Sequence, residues 1–214
     1  MKNQEFSWGL FNKVPLVGII RGLSRHQISQ VLPLFAESGL TTVEITLNTD
    51  DAPKNIEDAV LNFGTTLNIG AGTICGMDDL ELALNSGAQF IVTPVLEEEV
   101  VRSCVARGVP VFPGAFTPTE IFRAWKLGAP LVKVYPATAV GPQFIRDVKA
   151  PLNHVRLLPT GGINLSNIEQ FIRAGSDGVG VGGHLFDPQF IAREDWPGLK
   201  AHFARFAEFF AANI

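Results

Sequence analysis

A repeated unit of amphipathic segment, glycine and short apolar run restricts the fold of this chain more than any other feature. Six glycines end such segments and precede a β-rich run: Gly39, Gly64, Gly87, Gly108, Gly128 and Gly175. They are 20 to 25 residues apart except in the last interval, which is about twice as long. Asn153 lies near the middle of that interval, and asparagine often replaces glycine at the left-handed end of a helix. Each unit is therefore predicted to comprise a helix, its cap and a strand.

The apolar runs are predicted to be eight parallel strands. We assign them to residues 15–20, 41–47, 67–71, 90–94, 110–115, 131–136, 155–160 and 178–182. The runs are apolar along nearly their whole length, as is typical of parallel strands that helices cover. Eight strands that are each followed by a helix predict an α/β fold, a (β/α)8 TIM barrel, with residues 1–214 in a single domain.

The ends of the helices give further detail. The segment before Pro15 is predicted to be an extra N-terminal helix. In "TPTE", Thr117 can cap a helix that begins at Pro118, and Glu120 completes a capping box. An open doubly wound sheet is the alternative architecture, but no glycine-rich dinucleotide turn follows the first strand.

Composition favours a small-molecule partner. The chain has 214 residues, of which 46% are hydrophobic, and a net charge of -4 without any block of like charges. This balance argues against nucleic acid or an anionic membrane surface as the main partner. No run has the length of a signal-peptide core or a membrane span, so we expect a cytoplasmic protein. Cys75 and Cys104 form no CxxC pair and are expected to be ordinary reduced residues.

Two charged residues lie inside predicted strands. Lys133 is in the middle of "LVKVYPA", and Glu44 is in the middle of "TTVEITL". Hiding either charge from water costs several kcal/mol, so such residues are seldom buried without a reason. A structural salt bridge across the barrel, between these two residues, is one explanation. A functional role is favoured, because the interior of this fold opens on the active site.

Other candidate residues lie where the predicted strands end. In a barrel of this kind the carboxyl ends of the strands meet at one mouth, and the active site lies there. The polar and special residues expected at this mouth are Arg21, Asn48, Thr73, Pro94, Tyr135, Thr160 and His184.

Two glycine pairs follow the last two predicted strands. Gly161 and Gly162 belong to "PTGGI", and Gly182 and Gly183 belong to "GVGVGGH". Glycine lets backbone N–H groups approach an anion, and the loops after strands seven and eight are the usual phosphate site of such barrels. The sequence therefore predicts a phosphate site at these loops.

The lysine and the glutamate together suggest Schiff-base chemistry. An amine among apolar side chains has a lowered pKa, by about 3–5 units in extreme cases, and its neutral form can attack a carbonyl. A nearby carboxylate can then move protons to and from the intermediates. No cluster has metal-ligand spacing and no serine has a G-x-S-x-G context, so we expect no metal, no cofactor and no hydrolase triad. The combination predicts a class I, metal-independent aldolase or a related Schiff-base lyase.

The remaining histidines and the C-terminal tail have simpler interpretations. His26 and His202 are expected to lie on helices as surface residues. The tail "AHFARFAEFFAANI" has aromatic residues at near-helical spacing, which is typical of a packed last helix or a subunit contact.

Six segments also carry a family resemblance. They are "VEITLNT", "GAGT", "FIVTP", "VKVYPA", "PTGGI" and "GVGVGGH", and they span nearly the whole chain. In this order and spacing they resemble the 2-dehydro-3-deoxy-6-phosphogluconate (KDPG) aldolase family, which includes the 6-phosphogalactonate (KDPGal) aldolases. The resemblance implies a homotrimeric barrel that reversibly cleaves a 2-keto-3-deoxy-6-phospho sugar acid into pyruvate and glyceraldehyde 3-phosphate.

The resemblance also implies roles for individual residues. Lys133 matches the Schiff-base lysine of the family, and Glu44 matches its general acid/base. Thr73, Pro94 and Tyr135 lie where the family surrounds the pyruvate moiety, and most members have Phe in place of this tyrosine.

Anion-binding residues follow from the same match. Arg21 lies where many members have an arginine, whose bidentate geometry suits a carboxylate or another anion. The residues that match the phosphate loops are Gly161, Gly162, Gly182 and Gly183.

Three positions bear on which substrate type the chain resembles, and they point in different directions. Asn48 replaces an arginine, as in galactonate-type members, and "GPQFI" at 141–145 is also galactonate-like. Thr160 resembles the gluconate type, and its hydroxyl could read the configuration at C4. His184 replaces a serine and either binds phosphate or caps the next helix. A shorter substrate such as 4-hydroxy-2-oxoglutarate is also compatible with the loss of the arginine and the serine.

These observations leave rival hypotheses. KDPG aldolase is the leading one, and the galactonate-specific enzyme is its close alternative. A phosphate-binding isomerase or synthase would use the same glycine loops without a covalent adduct. A sugar-phosphate-binding barrel without catalysis would use Lys133 and Glu44 only as an ion pair.

Overall fold

The computed structural model describes residues 5–213 as an alternation of parallel strands and helices. The strands are β1 (Leu16–Ile20), β2 (Thr42–Thr46), β3 (Asn68–Gly72), β4 (Phe90–Val92), β5 (Val111–Phe112), β6 (Gly114–Ala115), β7 (Val132–Val134), β8 (Leu157–Pro159) and β9 (Val179–Val181). The helices are α1 (Trp8–Lys13), α2 (Arg25–Glu37), α3 (Ala52–Phe63), α4 (Met77–Asn85), α5 (Glu98–Ala106), α6 (Pro118–Lys126), α7 (Gly141–Lys149), α8 (Ile168–Arg173), α9 (Pro188–Ala192) and α10 (Trp196–Asn213), with a 3-10 turn at Ala137–Ala139.

The strands form two parallel sheets, so the predicted closed eight-stranded TIM barrel is wrong. One sheet has six strands in the order β5-β4-β3-β2-β1-β9, and the other has three in the order β6-β7-β8. A single bridge between Thr160 and Gly180 joins β8 to β9. The extra helix predicted before Pro15 is present as α1.

Proline accounts for both interruptions between the sheets. The predicted run 110–115 is divided at Pro113 into β5, which pairs with β4, and β6, which pairs with β7. Pro159 ends β8 next to the second interruption. Proline has no N–H group to donate to a ladder, so continuous pairing stops at these residues.

Most of the predicted helix ends are confirmed. Thr117 and Glu120 form the expected capping box at the start of α6. Gly39, Gly87, Gly108, Gly128 and Gly175 have positive φ angles where the helices end. Gly64 is an exception, because it has a φ of -62° and continues the right-handed conformation. The prediction for Asn153 is also wrong: this residue has no positive φ, and α7 already ends at Lys149.

An aromatic cluster fills the amino end of the strands. Its buried members, here called the amino-end cluster, are Phe11, Val17, Phe90, Val92, Phe112, Leu131 and Leu158. Phe6 adds edge-to-face contacts with Phe90 at 5.3 Å and Phe112 at 5.9 Å between ring centroids. Asn68 fixes this N-terminal segment, because its amide accepts from Ser7 N–H and donates to Ser7 O. The amino end is therefore closed by apolar packing, with Asn68 and Thr42 as buried polar residues that hydrogen-bond to each other there.

Among residues 5–213, no helix is long and apolar enough to cross a membrane.

Candidate active site

A cavity of about 630 Å³ lies at the carboxyl ends of the strands and contains most of the predicted site residues. Those that line it are Arg21, Lys133, Tyr135, Thr160, Gly161, Gly162, Gly182, Gly183 and His184. They come from β1, β7, β8, β9 and the loops that follow these strands. The two sheets therefore bring together residues that are distant in the sequence, such as Arg21 and His184, which are 163 positions apart.

Lys133 extends from the middle of β7 into this cavity. Its backbone lies between Gly114 of β6 and Leu158 of β8, and only 5% of the residue is exposed. Its Nζ lies 5.2 Å from the centre of the Tyr135 ring. Burial lowers the pKa of Lys133, the charge of Glu44 opposes this effect, and the charge of Arg21 adds to it. The neutral, nucleophilic amine is thereby favoured more than in an exposed lysine.

Glu44 lies in the middle of β2, is 1% exposed and is not among the residues that line the cavity. A side chain at Gly72, on the neighbouring strand, would place its Cβ 2.6 Å from Glu44 Oε1, so this glycine makes room for the carboxylate. Burial raises the pKa of Glu44, whereas the charges of Lys133 and Arg21 lower it. Burial favours the neutral form of both residues, so the free-energy difference between the charged and neutral forms of each is small enough for proton transfer.

The alternative of a structural salt bridge is wrong for these two residues. Neither Oε1 nor Oε2 of Glu44 has a hydrogen-bond partner within residues 5–213. A buried carboxylate without a partner destabilises a fold, and such groups concentrate at functional sites. The arrangement can supply an amine nucleophile and a proton-transfer group next to each other.

The glycine loops offer unpaired backbone donors to the same cavity. Gly161 and Gly162 have φ angles of 105° and 70°, which a residue with a side chain rarely adopts. In the described part of the chain, no protein group accepts a hydrogen bond from the N–H of Gly161, Gly162, Gly183 or His184. Successive free N–H groups of this kind form an anion-binding concavity.

The side chain of Thr160 is also at this edge of the cavity. Its hydroxyl is buried and donates to Leu158 O at 3.2 Å. The hydroxyl oxygen can still accept a hydrogen bond from a ligand.

Three other predicted residues are at strand ends but do not line the cavity. Thr73 follows β3 with a φ of 62°, and Pro94 follows β4 close to Gly114. Asn48 is exposed in the turn after β2. The structure therefore brings the lysine, the arginine and the glycine loops together, and leaves Asn48 at the periphery.

The sequence prediction missed several lining residues. Gln27, Ile163 and Phe186 line the cavity, but their sequence contexts are those of a helix start and of ordinary apolar positions. His202 was expected at the surface of a helix. It lies on α10, and its ring binds the carbonyl of His184, a contact between distant residues that no local pattern indicates.

Comparisons with known proteins identify what the chain is similar to. The sequence model of the family described as KDPG and KHG aldolase matches residues 9–201. The 2-dehydro-3-deoxy-6-phosphogalactonate aldolase of Escherichia coli (strain K12) is 35% identical over 175 residues, which are 81% of this chain and 85% of that protein. The 2-dehydro-3-deoxy-phosphogluconate aldolase of Treponema pallidum (strain Nichols) is 32% identical over 197 residues, or 90% of this chain and 93% of that protein.

A solved structure described as native KDPGal has a TM-score of 0.86 and 33% sequence identity. It covers 94% of this chain, and the match spans 98% of that one. The range matched by the family contains every predicted site residue.

Proposed function

The chain belongs to the KDPG and KHG aldolase family, and from this membership we propose that it cleaves a 2-keto-3-deoxy-6-phospho sugar acid reversibly into pyruvate and glyceraldehyde 3-phosphate. The prediction of an aldolase is confirmed at the level of the family. The observation that carries the proposed reaction is a buried Lys133 that lines the cavity and interacts electrostatically with Glu44, whose carboxylate has no hydrogen-bond partner within residues 5–213.

Lys133 is the proposed nucleophile. Its neutral amine attacks the C2 ketone to form a carbinolamine. Protonated Glu44 gives a proton to the departing hydroxyl, so that water leaves, a protonated imine forms and Glu44 becomes a carboxylate. Glu44 then takes the proton of the C4 hydroxyl while the C3–C4 bond breaks. The electron pair of that bond moves into the imine and forms an enamine, and the aldehyde product leaves.

The second half of the reaction returns both residues to their initial state. The enamine takes a proton at C3 from Glu44, which becomes a carboxylate. Water then hydrolyses the resulting protonated imine, which releases pyruvate and the free amine of Lys133, and Glu44 takes the proton that is set free. The raised pKa of Glu44 suits a group that first accepts this proton and then gives it back.

Ionic groups of the substrate have matching groups in the cavity. The glycine loops are proposed to bind the terminal phosphate through their free N–H groups, with His184 beside them. Arg21 is proposed to bind the carboxylate, since its guanidinium can donate two parallel hydrogen bonds. Thr73, Pro94 and Tyr135 are proposed to surround the pyruvate moiety.

The gluco epimer, KDPG, is the proposed substrate, because the Thr160 oxygen at the cavity can accept a hydrogen bond from a sugar hydroxyl. The galacto epimer, KDPGal, is the second candidate, and Asn48 favours it. Steady-state assays with both C4 epimers distinguish them, and a strong preference for KDPGal would reject the first candidate. Assays with 4-hydroxy-2-oxoglutarate test whether the terminal phosphate is required.

A homotrimer is the proposed assembly, as the family resemblance implies. Sedimentation equilibrium measures the mass of the assembly directly, and a monomeric protein at enzyme-assay concentrations would reject a trimeric state.

Borohydride trapping tests the proposed nucleophile. We expect incubation with pyruvate and sodium borohydride to add one reduced pyruvate to the chain, located on Lys133 by peptide mass analysis. Lys133→Met should show no adduct, and Lys149→Met, the matched control at the opposite end of the strands, should show the full adduct. An active, folded protein without an adduct on Lys133 would contradict the mechanism.

A further inference from the structure

The loop after β9 is held from outside the cavity by a single side chain of the last helix. His202, on α10, has its Nε2 atom 2.8 Å from the carbonyl oxygen of His184. A carbonyl oxygen only accepts hydrogen bonds, so Nε2 carries the proton and donates. The bond joins residues that are 18 positions apart and attaches the Gly182–His184 loop to α10.

The ring of His202 is held on a fixed support. It packs between Phe190 and Phe206, with ring centroids 5.7 Å and 5.3 Å away. The adjacent part of α10 is bound to α2, because Ser38 Oγ donates to Lys200 O at 3.2 Å and Lys200 pairs with Glu37 at 2.6 Å. The donor therefore has little freedom to follow the loop if the loop moves.

The loop itself has few other restraints around Gly183. A Cβ atom built on Gly183 would meet nothing within 4 Å, so no side chain packs against the loop at this point. The N–H groups of Leu185 and Phe186 bind Gly182 O at 2.8 Å and 3.0 Å, which turns the chain. The N–H groups of Gly183 and His184 remain without a partner in the described part of the chain.

The second glycine loop is restrained in a similar way. Gly162 O accepts from the side-chain amides of Asn164 at 3.1 Å and Asn167 at 2.9 Å. In both loops, a side chain from outside the glycine pair donates a hydrogen bond to a carbonyl of the loop. His184 O shares its peptide plane with Leu185 N–H, which binds Gly182 O at 2.8 Å, so this peptide is held from both sides. The Gly183 and His184 N–H groups belong to the two preceding peptides of the same short loop. Holding Gly182 O and His184 O therefore limits how far these two peptides can rotate.

We propose that His202 is a positioning residue for the phosphate site, which acts through His184 O and keeps the Gly183 and His184 N–H groups directed at the terminal phosphate. This inference rests on the proposed function, because it needs a phosphorylated substrate. His202 does not touch the substrate or the reacting atoms.

Two substitutions separate hydrogen bonding from packing. His202→Phe keeps a ring between Phe190 and Phe206 but removes the donor. His202→Gln removes the ring but can place an amide N–H near the position of Nε2. If the bond positions the loop, the phenylalanine variant is impaired and the glutamine variant retains function, whereas a packing role gives the reverse order.

The measurement is the condensation of pyruvate with two aldehydes, glyceraldehyde 3-phosphate and unphosphorylated glyceraldehyde. We expect His202→Phe to raise KM for the phosphorylated aldehyde by about 10-fold, the effect of one well-placed hydrogen bond, with kcat nearly unchanged. KM for glyceraldehyde should stay within about 2-fold, and His202→Gln should restore KM for the phosphorylated aldehyde to within about 3-fold of the wild type.

The outcomes distinguish failure of this inference from failure of the proposed function. Equal KM changes for the two aldehydes, no change in either, or a failure of glutamine to restore binding would overturn the role of His202. Absence of a pyruvate adduct on Lys133 in the wild-type protein would instead reject the proposed function. Circular dichroism and thermal unfolding of each variant show whether it is folded. If the phenylalanine variant does not fold, the glutamine variant by itself tests the packing alternative.

Discussion

The two ends of the strands each hold a mostly buried lysine near an acidic residue, but the two lysines differ in their partners. At the amino end, Lys149 Nζ binds Asp177 Oδ2 at 2.9 Å and also donates to Val155 O at 3.1 Å. At the carboxyl end, Lys133 has no such ion pair with Glu44, whose two carboxylate oxygens lack any partner within residues 5–213.

The difference shows how a fold separates stability from reactivity. The desolvation cost of a buried charge is partly offset when an ion pair and hydrogen bonds satisfy it. A buried pair that lacks them is costly, and this cost is what shifts both pKa values towards the neutral forms. The lysine with partners lies near the starts of β8 and β9, and the lysine without an ion pair lines the cavity.

The largest expected effect comes from Lys133→Met. Loss of the proposed nucleophile should lower turnover by more than about 10³-fold. The free energy of unfolding should either increase or stay within about 1 kcal/mol of the wild-type value. The reason is that an apolar side chain of similar length replaces a buried amine without a close partner. Chemical denaturation and an aldol-cleavage assay measure the two quantities, and a large loss of stability would mean that Lys133 is a structural residue.

Glu44→Gln should have the next largest effect. General acid–base groups contribute about 10²–10⁴-fold to rates, so cleavage should fall by that factor while Lys133 remains able to bind pyruvate. Rapid-quench kinetics with borohydride trapping measures cleavage and adduct separately. Unchanged cleavage would remove Glu44 from the mechanism.

Lys149→Met should show the opposite behaviour from Lys133→Met. The substitution removes the ion pair with Asp177, which keeps only the Leu157 N–H as a close donor, and the hydrogen bonds to two backbone carbonyls. We expect the free energy of unfolding to fall by about 1–3 kcal/mol. Turnover at a temperature where the variant is folded should be close to that of the wild type.

Lys54→Met is the control for this loss of stability, because solvent screens the exposed Lys54–Glu57 pair and its removal should change the free energy of unfolding little. Equal losses in the two variants would show that the amino-end pair is no stronger than a surface pair.

The smallest expected effect is a shift of the pH dependence of adduct formation. The amine of Lys133 reacts when it is neutral, so trapping of pyruvate should increase as the pH rises through its lowered pKa. The charge of Glu44 raises that pKa, so Glu44→Gln should move the midpoint to lower pH. Initial rates of trapping between pH 5 and 10 measure the midpoint, and a shift to higher pH would contradict the assigned electrostatics.

Local patterns predicted much of the fold. The predicted apolar runs contain eight of the nine strands in residues 5–213, and β3 extends one residue beyond its predicted run, to Gly72. The capping box and most glycine caps were found as expected. Pro113 and Pro159 were visible in the predicted strands, but their effect on closure depends on which neighbour each strand pairs with. Pairing partners are distant in the chain, so a local pattern gives the strands but not the interruptions between the sheets.

The candidate site divides in the same way. The sequence by itself determined where the charged residues and the glycine pairs stand along the chain, because hydrophobic runs and caps depend on near neighbours. Tertiary structure alone decided that Glu44 has no hydrogen-bond partner, that Asn48 lies outside the cavity and that His202 supports the His184 loop. Burial and hydrogen bonding depend on atoms from many elements, and only the packed chain fixes their distances.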